Sequence, residues 1–176
     1  ASMKSTDNLT LTSLTNKYLN SAVKLVERVF KHEDEIIRTE LEASINNKSL
    51  VSYNNHCDSD VKSLKYFIVV NNKEKVLGII GIYTLFEDFE DTDWIGWYCV
   101  SKKYRGKGIG IFLLNFVIDL SKDRGKKYLC LYTSTDKSEK KAQKIYEKNG
   151  FYITKPVKED GYEILFRRKD LSLSNI

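Results

Sequence analysis

The chain has 176 residues, 41% of them hydrophobic and 30% charged, with a net charge of +5 at neutral pH. That balance suits one folded domain with a substantial core and excludes a disordered segment. No apolar run reaches the length of a membrane span, and no charged-then-apolar leader opens the chain.

Ala1 and Ser2 precede Met3 and read as a cloning scar, which leaves residues 4–176 as one expected domain. Cys57, Cys99 and Cys130 are odd in number and lack metal-ligand spacing, and His32 and His56 stand apart from any cysteine or carboxylate cluster. No metal is expected, and a cytoplasmic location fits. The positive charge suits an anionic partner, either nucleic acid or a phosphate-bearing cofactor, unless it marks only a solvated lysine-rich surface. Where the lysines sit decides between these.

Leu9 to Thr15 alternates apolar and polar residues and predicts a first strand. Tyr18 to Lys31 sets Leu19, Ala22, Val23, Val26 and Phe30 at helical spacing, with Asn16 or Asn20 as its N-cap. A second helix is expected from Asp34 to Asn46, with Ile36, Ile37, Leu41 and Ile45 on one face. Asn46 to Ser63 is polar and aperiodic, and reads as a loop. Three strands follow, at Tyr66–Val70, Val76–Phe86 and Trp94–Val100. Next come a glycine-rich loop, a helix from Gly108 to Lys122, a strand at Tyr128–Thr133 and a helix at Ser138–Lys148. Strands at Phe151–Val157 and Tyr162–Arg168, joined by a Lys-Glu-Asp-Gly turn, end the pattern. This order implies an α/β arrangement around a mixed sheet.

The chemistry concentrates in Tyr104-Arg105-Gly106-Lys107-Gly108-Ile109-Gly110, between a strand and an amphipathic helix. Glycines let the backbone approach a pyrophosphate, and a helix start adds unpaired N–H groups and the positive end of the macrodipole. Lys102, Lys103, Arg105 and Lys107 place positive charge at the same spot, whereas no aromatic-plus-basic nucleic-acid motif is present. The spacing is not that of a dinucleotide fingerprint, and no Gly-Lys-Ser/Thr closes a Walker loop.

Val100-x-x-x-Tyr104-Arg105-Gly106-x-Gly108-Ile109-Gly110 resembles the pyrophosphate signature of the GCN5-related N-acetyltransferases (GNAT), and Ala142-x-x-x-Tyr146-Glu147-x-x-Gly150-Phe151 resembles that family's second motif. The resemblance spans about Leu9 to Arg168. It implies a mostly antiparallel sheet of about seven strands, flanked by about four helices, with two central strands splayed apart. It further implies acetyl-CoA as co-substrate, with its pyrophosphate on the amides of Gly106 to Ile111 (Arg105, Gly106, Lys107, Gly108, Ile109, Gly110 and Ile111 as the binding set). A backbone N–H near a strand bulge, mapped onto Tyr98, Cys99 and Val100, would stabilise the oxyanion. Tyr146 would assist the leaving thiolate as general acid, although packing alone also accounts for a tyrosine on that helix face. Where the family often has asparagine seven residues before this tyrosine, the chain has Glu139, and Thr133-Ser134-Thr135 is an alternative hydroxyl source.

For the acceptor, the segment Glu87-Asp88-Phe89-Glu90-Asp91-Thr92-Asp93 is either an electronegative rim that attracts an amine or a solvated turn. Glu87 and Asp93 are the candidate bases within it. Trp94, Trp97 and Tyr98 are either an aromatic wall for the acceptor or core residues. The expected activity is N-acetylation of a primary amine on a small molecule or peptide, with no nucleic-acid or membrane partner and with a homodimer left open. A non-catalytic acyl-CoA sensor is the rival.

Overall fold

Two ten-residue strands rich in β-branched and aromatic residues, β2 (Val61–Val70) and β3 (Val76–Leu85), pair antiparallel and carry much of the buried core. The computed structural model describes residues 8–31, 34–159 and 161–172. Residues 1–3, His32 and Asp160 of the last turn lie outside them. Strand β1 (Thr10–Ser13) flanks the β2–β3 pair on one side, and β4 (Thr92–Val100), β5 (Tyr128–Ser134), β6 (Tyr152–Glu159) and β7 (Tyr162–Asp170) extend the sheet on the other. The seven strands run in the order β1-β2-β3-β4-β5-β7-β6. Every pairing is antiparallel except β4 with β5.

Helices α1 (Leu19–Val29), α2 (Asp34–Ala43) and α3 (Asn47–Cys57) cover one face of the β1–β4 half. Val23, Val26, Ile37 and Leu41 pack there against Ile68, Val70 and Ile79. Helix α4 (Ile109–Asp123) covers the other face, with Ile109, Leu113, Leu114 and Val117 against Val69, Leu77, Ile80 and Ile82. Helix α5 (Lys140–Lys148) adds Tyr146 to that second core.

Among the described residues there are five α-helices, one more than expected, because residues 46–63 are not a loop. They form α3 and the start of β2. The helix buries only Tyr53, so it has no apolar stripe to announce it. Its ends hold it instead: the Asn46 side chain accepts from Lys48 N–H at 2.8 Å. The Asn54 amide exchanges two hydrogen bonds with the Val61 backbone, at 2.9 and 3.0 Å. No helix of the described residues is long and apolar enough to cross a membrane.

One side chain laces three elements together. The Tyr66 ring on β2 lies over Gly81 of β3, and its hydroxyl reaches Gly96 of β4. A Cβ at Gly81 would sit 2.4 Å from that ring, and one at Gly96 would sit 2.6 Å from the hydroxyl oxygen. Both glycines are therefore steric necessities. The Gly81→Ala variant is expected to lose about 1–3 kcal/mol through overpacking. In a Tyr66→Ala background the same change should cost little, so urea denaturation of the double-mutant cycle reads the contact directly.

Candidate active site

Strands β4 and β5 are paired only through Thr92–Tyr128, Asp93–Leu129 and Trp94–Cys130. Beyond Trp94 they part. Strand β5 stays paired to β7 all the way to Ser134, while β4 continues beside β3 to Val100. Along β4 the register with β3 slips, with Gly96 and Trp97 together facing Gly81. That bulge lies just before Tyr98, Cys99 and Val100, the stretch onto which the resemblance mapped the oxyanion donor. The Trp97 N–H at the bulge is donated to the Tyr66 hydroxyl at 3.1 Å. Tyr98, Cys99 and Val100 lie on the part of β4 that has no β5 partner.

At the mouth of this opening the chain turns through a short 3-10 segment, Lys102–Tyr104, into the glycine loop and α4. Gly106 and Gly108 have φ of 79° and 88°, and a Cβ on either would meet open space. Glycine is needed there for its left-handed backbone. Helical pairing begins with Phe112 N–H donating to Gly108 C=O at 3.0 Å. The N–H groups of Gly108, Ile109, Gly110 and Ile111 thus have no partner within the helix and form an anion-ready cradle. Arg105 Nε donates to Val100 C=O at 3.2 Å, and the ammonium groups of Lys75, Lys103 and Lys107 gather around the Tyr104 ring at 5.3–6.0 Å. The Ile109 and Leu113 side chains seat the helix tightly on Gly78, where a Cβ would lie 2.9 Å from Ile109.

Tyr98 donates its hydroxyl to Gly110 C=O at 2.5 Å, which ties β4 to the first turn of α4. Tyr146 is buried beside it, with ring centroids 6.3 Å apart, and meets Phe151 at 5.9 Å. Burial, then Tyr98 and Glu139, push the Tyr146 hydroxyl well above its ordinary range, so it is a neutral phenol at physiological pH. Burial likewise pushes the Cys99 and Cys130 thiols up to about 12, which leaves them protonated.

Glu139 is a fastener between β5 and α5. Its carboxylate accepts from the Thr133 hydroxyl at 2.8 Å, from Ser134 N–H at 2.9 Å and from the Ser134 hydroxyl. The Thr133 and Ser134 hydroxyls are thereby engaged. Arg167, which the sequence did not single out, is buried under α5 and donates to Gln143, the Phe151 carbonyl and Glu147 at 2.8–3.2 Å.

The structure separates the two base candidates from the opening. Asp93 belongs to the paired end of β4, on the α4 face, and is fully buried against Arg124 at 3.1 Å. Burial raises its carboxyl, and the nearby Ser121 hydroxyl and Arg124 pull it back. Glu87 is exposed on the turn that precedes the same end. Of the proposed aromatic wall, Trp97 packs on Phe30 at 4.8 Å and Tyr98 on the cofactor-side core. Trp94 instead stacks on Tyr83 at 6.2 Å and donates its indole N–H to Asp88 at 3.1 Å.

A second constellation was missed. Glu40 on α2 accepts from the Tyr53 hydroxyl at 2.9 Å and from the Tyr66 hydroxyl, the same group that takes the bulge N–H. Two signals were present in the sequence: an acid sharing a helix face with Ile37 and Leu41, and glycines inside apolar strands.

The family model "Acetyltransferase (GNAT) family" matches residues 23–151. None of the curated proteins compared shows significant sequence similarity to the chain. Among solved structures, a GNAT-family protein from Desulfovibrio desulfuricans superposes with a TM-score of 0.70 at 15% identity, covering 93% of this chain and 99% of that one. An acetyltransferase of the GNAT family from Staphylococcus aureus Mu50 gives 0.64 at 20% identity, with 93% and 99% covered. The PaiA N-acetyltransferase of Thermoplasma acidophilum, solved with coenzyme A, gives 0.62 at 16% identity and the same coverage. These likenesses establish the fold, the family match covers most of the chain, and the chain belongs to the GNAT acetyltransferase family.

Proposed function

We propose that the protein is an acetyl-CoA-dependent N-acetyltransferase that acts on a primary amine of a small molecule or peptide, by direct attack within a ternary complex. One observation carries this reading. Among the described residues the one parallel strand pair opens after three residues, and a helix N-terminus with lysines beside it stands at the mouth of the opening. The residues present fit the co-substrate. The N–H groups of Gly108 to Ile111 receive the pyrophosphate, with Arg105, Gly106 and Lys107 beside it, and the free edge of β4 along Tyr98–Val100 pairs with the pantetheine as an added strand would.

Acetyl-CoA supplies an activated thioester whose carbonyl gains negative charge when an amine attacks. A β4 backbone N–H along the opening stabilises that charge, a contribution on the order of 100- to 1000-fold in rate. Tyr146, held neutral by burial, donates a hydrogen bond to the departing thiolate. A soluble amine is the partner, in the cytoplasm.

Binding comes first in the test. At about a hundred times its Kd, CoA should add about 2.7 kcal/mol, a Tm rise of roughly 5–10 °C for a chain of this size. Differential scanning fluorimetry reads it, and no shift at millimolar CoA would remove the assignment. Gly108→Val forces a β-branched residue into a left-handed conformation and should abolish the shift while the domain stays folded.

Chemistry is tested by Tyr146→Phe. The ring keeps its place against Tyr98 and Phe151, and only the hydroxyl is lost. CoA affinity is expected to hold while turnover falls about 10- to 1000-fold. Wild-type turnover, with chemistry shown to limit the rate, would make Tyr146 a packing residue.

A further inference from the structure

The face of the sheet opposite α4 carries a carboxylate in an unusual setting. Glu40 lies deep against the strands, yet part of its surface still reaches solvent. The hydroxyls of Tyr53 and Tyr66 hold its two oxygens, and the Tyr66 hydroxyl also takes the Trp97 N–H. A single hydroxyl therefore separates this carboxylate from the β4 bulge. An acid so placed is costly to keep charged unless something cationic or hydrogen-bonding meets it.

Beyond Tyr53 and Tyr66 a continuous row of rings crosses the sheet, and its Tyr83 end senses the Glu40 charge. Tyr83 stacks on Trp94 at 6.2 Å, Trp94 meets Phe166 edge-on at 6.4 Å, and Phe166 meets Tyr132 at 5.9 Å. These residues come from β3, β4, β7 and β5, and Trp94 is the last β4 residue paired with β5. The wall thus crosses the base of the opening. Tyr83 and Tyr132 also lie close enough to Tyr53 to act on it or be acted on electrostatically, and Tyr83 feels Glu40 itself. Tyr132 remains 59% exposed.

Ring faces attract a cation, and a carboxylate beside one end of the row supplies its counter-charge. We propose that Glu40 and the wall of Tyr83, Trp94, Phe166 and Tyr132 form the acceptor subsite, that the acceptor enters as a primary ammonium, and that Glu40 takes its proton. This rests on the acetyl-transfer reading above. One N–H bond of R–NH3+ breaks as an O–H bond forms on Glu40, which frees the nitrogen lone pair. The lone pair attacks the thioester carbonyl and the C–S bond breaks. The second nitrogen proton ends on the CoA thiol, and Glu40 returns its own proton to water.

The titratable groups that face Glu40 are Tyr53 from α3, Tyr66 from β2 and Tyr83 from β3, with Tyr132 from β5 beyond them. Burial holds the phenols of Tyr53, Tyr66 and Tyr83 neutral. Burial raises the Glu40 carboxyl above the usual carboxylate range, and its two hydroxyl partners pull it back only in part. Glu40 must be ionised to accept a proton, so amine kcat/KM falls as pH drops through that raised value.

The test uses n-butylamine, benzylamine and 1,5-diaminopentane with the full chain and CoA or acetyl-CoA. Trp94 and Trp97 are the chain's only tryptophans, so intrinsic fluorescence reports on this region. CoA-bound wild type is expected to show a saturable response to at least one amine. Glu40→Gln should keep the CoA-induced Tm shift, weaken the amine response at least about tenfold, lower amine kcat/KM about 100-fold or more and lose the acid limb of the profile. Wild-type kcat/KM and pH profile in Glu40→Gln would overturn the proposal. So would the absence of any saturable amine response in a wild type that binds CoA. If Glu40→Gln fails to fold, Tyr132→Ala decides, because its ring is exposed: amine KM should rise about fivefold with kcat little changed, and an unchanged KM overturns the subsite. A wild type that ignores CoA defeats the acetyl-transfer reading itself, a result distinct from loss of the amine step alone.

Discussion

A parallel strand pair that holds for three residues and then parts is the constraint on which the rest of this structure depends. Two strands released from each other expose backbone donors and acceptors, which is costly unless something else fixes each strand. Here both are fixed from the outside. Strand β5 is paired to β7 along its whole length, and Glu139 clamps its far end to the α5 corner. Strand β4 is bent by the Gly96–Trp97 bulge, whose free N–H is taken by Tyr66. The opening is therefore a rigid feature between two braced half-sheets.

The crossover connection explains why the glycine loop stands where it does. A parallel pair requires a return path across one face, and α4 supplies it. Its N-terminus must then follow directly from the end of β4, at the mouth of the opening. Gly108 at φ 88° turns the chain sharply enough to start the helix there, and the Tyr98–Gly110 hydrogen bond pins that start to the strand. Position and electrostatics come from one topological fact.

The parts legible in the sequence are those set by local chemistry. The glycine turn, the amphipathic helix behind it and the Tyr146 helix face depend on residues a few positions apart, and each stands in the structure near its expected limits. Features that depend on distant residues were not legible. Glu40 gains its meaning from Tyr53 and Tyr66, which lie 13 and 26 residues away. Helix α3 carries no stripe of apolar residues and is secured by Asn46 and Asn54 instead. Asp93 is turned to the α4 face and buried against Arg124, a partner 31 residues away that the local sequence does not announce.

The two faces of the sheet carry opposite electrostatic characters, and β4 is the element common to both. On the α4 face the mouth of the opening carries the helix N–H groups, Arg105 and Lys107, with the neutral phenols of Tyr98 and Tyr146 behind them. A polyanion is favoured there and a cation is not. On the opposite face stand Glu40, a row of aromatic rings and Asp88 bonded to Trp94, a setting that favours a cation. Because the bulge belongs to both, a change of strand register at Gly96–Trp97 would displace the donor side and the acceptor side together. Tyr66 opposes that slip by filling the space above two glycines, so a side chain on β2 fixes the register of β4. The hydroxyl that takes the bulge N–H also donates to Glu40, so the register of β4 and the setting of that carboxylate depend on one side chain.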